Sequence, residues 1–343
     1  MPKGIVLFME EQMNMTLEEM ARELGVSKST VSRALSGKGR IGEETRRKIQ
    51  DFSRQQGMLK DEAQRQETST RNLGVVLPAD VYISGGPYFQ ECILGICETA
   101  TFLEYDVLIT TGTANDVSGI KTLVEKKKVD GIILTRSLED DKGLQYLTEI
   151  GFPVGLTGIC SKSEVIQVDT DNEAAAESLT SLLIGRGYRR FALIIDNMEY
   201  MVNKSRHRGF YNALKKNHIP VERQMIISTP LKMDMLDSVV EDMVSRKVEC
   251  IICGDDVICT RVMSSLQAEG YRIPKDIAIA SLYNSPNLDC FSPSITAVNV
   301  SARQVGNMIS RQMINYLTGK EYQNRTIMDY EILMRKSASG IER

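Results

Sequence analysis

Histidine is scarce in this chain. There are two in 343 residues, His207 and His218, and neither stands near a cysteine. A metal centre built from imidazole and thiolate is therefore not expected. The seven cysteines are odd in number and follow no disulfide-framework spacing, which points to reduced thiols and a cytoplasmic protein. Cys250 and Cys253 do form a C-x-x-C, but within the apolar run Val248 to Cys253, which reads as a buried strand. Residues three apart on a strand point to opposite faces, so the two sulfurs read as small buried hydrophobes rather than a redox or metal pair. No apolar run is long enough to cross a bilayer, so no membrane partner is expected. The patch Ile5 to Met9 behind a single Lys3 is too short and too weakly basic for a secretory signal, and residues 1–15 read as an N-terminal extension.

Catalytic signatures are missing as well. There is no G-x-S-x-G elbow, no G-x-x-x-x-G-K phosphate loop and no G-x-G-x-x-G behind the first strand. Asp169, Asp171, Asp255 and Asp256 resemble paired carboxylates, yet no nucleophile or metal ligand accompanies them. They are better read as hydrogen-bond acceptors for a polar ligand, and neither an enzyme nor a cofactor is expected.

What is present begins with Thr16 to Leu35. Leu17, Met20, Ala21 and Leu24 have the spacing of one apolar helical stripe, and Thr16 with Glu19 makes a capping-box pattern. Gly25 suits a left-handed turn, and Ser27 can cap a second helix. On that helix Thr30, Val31, Ala34 and Leu35 share one face and Lys28, Ser29, Ser32 and Arg33 the other. A small apolar back with a polar, cationic front is what the DNA major groove admits. A third helix from Glu43 to about Gln56 sets Thr45, Ile49 and Phe52 on one stripe and completes a mini-core. Between Ser27 and Arg47 lie Lys28, Arg33, Lys38, Arg40, Arg46 and Arg47 against only Glu43 and Glu44, a local cationic surplus in a chain of net charge −3.

From Leu73 onward apolar strands alternate with amphipathic helices. NLGVVLP, YDVLITT, VDGIILT and FPVGLTG are strand candidates, and RRFALIID, QMIIST, VECIICG and DIAIASL repeat the pattern. Helices are expected around Phe89 to Leu103, Val117 to Lys127, Asp140 to Ile150, Lys204 to Asn217, Met233 to Arg246 and Asp256 to Glu269. Near-continuous Val, Ile and Leu strands separated by helices imply parallel sheets covered on both faces, and two such runs imply two similar lobes. A ligand would sit at the carboxyl ends of those strands. The expected organisation is an extension (1–15), an all-α three-helix helix-turn-helix head (16–57), a linker (58–72) and an α/β two-lobed domain (73–343).

These residues make the chain recognisable. Val26-Ser27, Thr30-Val31-Ser32-Arg33, Gly37-Lys38-Gly39 and Glu44-Thr45-Arg46 resemble, in order and spacing, the head of the lactose-repressor (LacI/GalR) family of bacterial transcription regulators. The resemblance runs through nearly the whole chain after Thr16, and it implies a sensor similar to the periplasmic sugar-binding fold. Pro87-Tyr88-Phe89 matches the loop after the first strand, where an aromatic covers the effector. Val168 to Asn172, with Asp169, lies where the chain passes between lobes, and Gly187-Tyr188-Arg189-Arg190 precedes a second-lobe strand. Arg206 to Phe210 fits an R-x-x-G-F motif whose Arg contacts the effector, and Gly254-Asp255-Asp256 matches a loop that often reads Asn-Asp. Asp256 is as good a candidate for capping the following helix as for touching ligand. The resemblance thus implies an effector site of Tyr88, Phe89, Asp169, Arg206, Asp255 and Tyr283. A guanidinium, fixed carboxylates and an aromatic face suit the hydroxyls and ring of a sugar or nucleoside.

Two departures modify that expectation. Where the family has a loop like Gly-Phe-Asp-Asp, this chain has Ser281-Leu282-Tyr283-Asn284, and Tyr283 supplies no carboxylate. The effector is then expected to be less hydroxyl-rich than a typical hexose, or differently oriented. At the hinge, Lys60-Asp61 replaces Pro-Asn and Glu67 replaces the Leu that wedges into the minor groove. A carboxylate there is repelled by phosphate, so weak or absent kinking is expected.

The function expected is that of a homodimeric, effector-responsive DNA-binding repressor acting on a near-palindromic operator. Lys28, Ser29 and Arg33 would serve at base edges, Thr16, Ser32 and the amides at helix starts would grip phosphates, and Thr30 belongs to the same DNA-binding set. A solute-binding protein without regulatory output is the alternative.

Overall fold

The structure, a computed structural model, describes residues 17–35, 41–55, 69–79, 86–195, 197–228 and 236–340. Thr16, the Gly37-Lys38-Gly39 loop, and the hinge positions Lys60, Asp61 and Glu67 lie outside them, as do residues 1–15. The chain divides into two units, residues 1–69 and 70–343.

The first unit contains α1 (Leu17–Glu23), α2 (Lys28–Leu35) and α3 (Glu43–Gln55). Gly25 turns α1 into α2 with φ +66°, where a side chain would be strained. The Thr30 amide donates to Ser27 Oγ at 3.1 Å, so Ser27 starts α2 as its sequence position suggests. Met20, Ala21, Val31, Ala34 and Ile49 form the core, with Leu24, Val26, Ile41 and Phe52 packed against it. Burial of each of the larger side chains is worth about 1.5–3 kcal/mol, and this small cluster is what holds α2 with its polar face outward. Ser53 is fully buried in α3, and its hydroxyl is satisfied by donating to the Ile49 carbonyl at 2.8 Å.

The second unit is built from β1 (Asn72–Pro78), α4 (Pro87–Phe102), β2 (Asp106–Gly112), α5 (Ser118–Glu125), β3 (Gly131–Leu134), α6 (Lys142–Glu149), β4 (Val154–Thr157), β5 (Ile166–Thr170), α7 (Asn172–Gly185), β6 (Phe191–Ile194), α8 (Met201–Lys216), β7 (Met225–Ile227), α9 (Leu236–Ser245), β8 (Cys250–Cys253), α10 (Asp256–Ala268), β9 (Ala278–Ser281), α11 (Pro286–Asp289), β10 (Thr296–Asn299), α12 (Ala302–Leu317), β11 (Arg325–Met328) and β12 (Glu331–Leu333). One sheet runs β2-β1-β3-β4-β5-β11 with all pairs parallel, for instance Val75 opposite Ile133. The other runs β7-β6-β8-β9-β10-β12, parallel except that β12 joins its edge antiparallel. Both follow from strands apolar on both faces, which only helices on either side can cover. Cys250 packs into one face of the second sheet and Cys253 into the other, and both are free thiols.

The lobes are not two consecutive runs. The chain leaves the first sheet after Thr170, returns to it through α12, and crosses once more so that β11 and β12 fall in different sheets. In the first lobe α12 meets α4 backbone to backbone. A Cβ added at Gly95 would lie 2.0 Å from the Arg303 carbonyl, and one at Gly306 would lie 2.1 Å from that of Cys92. In the second lobe Gly209 on α8 does the same against Glu173 of α7, at 2.2 Å.

Candidate functional site

Two surfaces carry chemistry, one in each unit. On α2 the side chains of Lys28, Ser29, Ser32 and Arg33 are exposed, while Val31 and Ala34 are fully buried and Thr30 is half-buried. The helix therefore presents the polar front that its sequence pattern foretells. The hydroxyls divide, however. Ser27 Oγ lies 2.8 Å from Ser29 Oγ and 2.7 Å from Thr30 Oγ1, so both hydroxyls are drawn into the helix cap. Lys28, Ser32 and Arg33 project from outside that cluster.

The second surface is a cavity of about 150 Å³ between the lobes of the second unit. Tyr88, Phe89, Asp169, Arg206, Asp255 and Tyr283 all line it. Strand ends bring them there: Asp169 lies near the end of β5, Asp255 follows β8, Tyr283 follows β9, and Tyr88 and Phe89 open α4 after β1. Arg206 comes from the second turn of α8. This is the crevice beyond the carboxyl ends of parallel strands. Pattern reading missed Arg136, Thr157, Tyr200 and Asn203, which also line it. Arg136 and Thr157 were findable, since they follow or end the strands β3 and β4. Tyr200 and Asn203 had no signal beyond standing before Arg206.

Burial perturbs the charged groups of the cavity. Burial raises the Asp169 carboxyl to about 6, against the pull of the Thr170 amide, which donates to it at 2.8 Å, of Arg206, and of the Asn172 amide at 3.0 Å. Burial lowers the Arg206 guanidinium from its ordinary value, with Asp255 and Asp169 opposing the fall. Its Nη2 donates to the Leu282 carbonyl at 3.4 Å, but its Nε is buried without a hydrogen-bond partner. A buried donor left unmade costs about 1–3 kcal/mol, which a ligand oxygen would recover. Asp255 caps α10 by accepting from the Ile258 amide at 2.8 Å. Asp256 is therefore not the cap; it is buried at 3% exposure beside the cavity, and burial raises its carboxyl.

An aromatic wall closes one side. Tyr88 lies edge-on to Phe89 at 5.4 Å and to Tyr283 at 5.6 Å, joining a ring of the first lobe to one of the second. The opposite side is closed by the chain itself. The Glu139 amide donates to the Glu199 carbonyl at 3.1 Å and the Met201 amide to the Ser137 carbonyl at 3.0 Å, a short antiparallel bridge between lobes. Arg136 donates to Tyr200 Oη at 3.2 Å with its guanidinium 5.8 Å from that ring, and Lys204 pairs with Glu139. Among the described residues no cluster of His, Cys, Asp and Glu could hold a metal ion, and no helix is long and apolar enough to cross a membrane.

A known family model matches each unit of the chain. The family of bacterial regulatory proteins of the lacI type matches residues 16–55, and the periplasmic binding proteins and sugar binding domain of the LacI family match residues 70–334. The chain is 24% identical to the HTH-type transcriptional regulator RegA of Clostridium saccharobutylicum, over 94% of this chain and 98% of that protein. A LacI-type transcriptional regulator from Bacillus cereus subsp. cytotoxis superposes with a TM-score of 0.73 at 27% identity, covering 79% of this chain and 99% of that one. A complex of the transcriptional regulator CelR with cellobiose has the same fold, with a TM-score of 0.71 at 22% identity over 94% of this chain and all of the other.

Proposed function

The chain belongs to the LacI family of bacterial transcription regulators, and we propose that it works as a homodimeric repressor whose grip on a near-palindromic operator is set by a sugar-like molecule bound between its two sensor lobes. The observation that carries the reading is the exposed front of α2, with Lys28, Ser32 and Arg33 standing on a fully buried apolar back. Arg33 or Lys28 reads guanine through its major-groove edge, while Ser32 and Thr16 contact phosphate. Ser29, drawn toward the Ser27 cap, has one hydrogen bond of its hydroxyl already made, and Thr30, drawn there too, is half-buried. Two copies of one head related by a dyad demand a two-fold symmetric site. A regulator of this kind acts in the cytoplasm, and turnover of the bound molecule has no part in it.

Tyr88, Phe89, Asp169, Arg206, Asp255 and Tyr283 hold the effector. Arg206 Nε offers an unmet donor, Asp169 an acceptor and the tyrosines a ring face, a set that fits a hydroxylated ring. The bound cellobiose of the CelR complex is the sugar of that regulator, and it supports the class rather than the identity here. The effector acts by its different affinity for two arrangements of the lobes. Selection from a random duplex library at moderate salt tests the reading. Enrichment of one inverted-repeat motif is expected, and recovery of no motif, with or without a metabolite panel, would refute it.

A further inference from the structure

Among the described residues, Asp256, Val257, Tyr283 and Val300 line both the inner cavity and a second groove beside it. The groove is open and larger, about 770 Å³, against about 150 Å³ inside. Tyr283 is the bulkiest side chain in the shared wall. It is 6% exposed, and its ring stands at 76° to that of Tyr88 on the facing lobe. Its backbone is pinned on both sides of the residue, because Ser281 Oγ donates to the Tyr283 carbonyl at 2.7 Å and accepts from the Tyr283 amide at 3.3 Å. The ring is thus held at the boundary by packing and by its own loop.

The two compartments differ in chemistry. An inner space of about 150 Å³ is the size that admits one six-membered ring. The outer groove is lined by Gln90, Asn284, Asn287 and Asn299 together with Glu91 and Arg303. Carboxamides carry both donors and acceptors and suit the hydroxyls of a second sugar ring. The Asn284 side-chain amide donates to Asn299 Oδ1 at 3.1 Å, Asn284 Oδ1 accepts from Arg335 at 2.9 Å and the Asn299 side-chain amide donates to Glu331 at 2.6 Å, so Gln90 and Asn287 are the carboxamides left to meet a second ring.

We propose that Tyr283 is the partition that limits the effector to a single ring, and that the outer groove is a second-ring subsite shut off by that one side chain. The inference rests on the cavity being the effector site. A smaller residue at position 283 would join the compartments and admit a disaccharide. The phenol hydroxyl has no part in this, since the barrier is the ring.

Thermal-shift and calorimetric titrations of the full chain test it, with a panel of neutral and deoxy monosaccharides and the disaccharides built from them. For the wild type, a monosaccharide is expected to bind at least about tenfold tighter than any disaccharide containing it. Tyr283→Ala should reverse that order, and Tyr283→Phe should keep it. A disaccharide binding the wild type as tightly as its monosaccharide would overturn the partition while leaving the effector site intact, and it does so whether or not Tyr283→Ala folds. A folded Tyr283→Ala that gains no disaccharide affinity would overturn it too. Silence of every sugar with wild type and variants alike would remove the cavity reading and the partition together.

Discussion

At the scale of single residues, Asp169 shows how burial becomes a measurable property. Its carboxyl is raised to about 6 because the cleft removes water, even though Thr170, Asn172 and Arg206 favour the charged form. A raised acid stabilises the fold fully below the ordinary value of 3.8, and that increment is lost as pH rises through about 6. A ligand hydroxyl donating to Asp169 favours the ionised form, so the sign for binding is opposite. Effector affinity is expected to fall as pH drops below about 6, with proton release on binding near that pH. Calorimetry in buffers of differing ionisation enthalpy measures this directly. Asp169→Asn should abolish the proton release; if the variant keeps the same pH profile, another group such as Asp256 is responsible.

At the scale of elements, two helix contacts make separate demands. The α4–α12 crossing has no room for a side chain at Gly306, where a Cβ would sit 2.1 Å from the Cys92 carbonyl. Gly306→Ala forces the helices apart, and a stability loss of at least about 1–3 kcal/mol is expected in denaturant melts. An unchanged midpoint would mean the crossing relaxes freely. On α2, Arg33→Ala should cost about 1–3 kcal/mol of operator affinity and relax selectivity at one base pair. A Kd that rises evenly across all duplexes would instead make Arg33 a phosphate contact.

Elements also show where the sequence could be read. The strands β1, β3, β4, β6, β7, β8 and β9 lie within the apolar runs of the sequence, and β2 overruns its run by Gly112. The inner strands β1, β3, β4, β6, β8 and β9 stand out because strands buried on both faces are mostly apolar. β5 was hidden, since Gln167, Asp169 and Thr170 break its run. β11 and β12 were hidden because they are short edge strands with exposed positions. The return of the chain to the first lobe through α12 is a property of topology that periodicity does not carry. In the site, the family resemblance led to side chains that line one cavity, whereas Arg136 and Tyr200, which also line it, belong to none of the matched motifs.

At the scale of the whole second unit, the lobes are bridged by the chain itself. Two backbone hydrogen bonds and the Lys204–Glu139 pair join the lobes on the Arg136–Tyr200 side of the cavity, so parting the lobes there breaks them. Glu139 is largely exposed, which limits the pair to about 0.2–1 kcal/mol. Lys204→Ala is therefore expected to speed effector dissociation by no more than about fivefold, with little change in melting temperature. Stopped-flow release kinetics would record it, and an unaltered rate would show that the side-chain pair does not hold the lobes together.

The central claim is that one molecule in the sensor cavity governs how the head holds DNA. Titration of the selected operator duplex with protein, followed by fluorescence anisotropy with and without a saturating sugar that stabilises the protein, tests it most directly. A shift in operator Kd of about 5- to 150-fold is predicted, with the sugar's own affinity shifted by the same factor when operator is bound. An operator Kd that stays the same at saturating sugar would contradict the account.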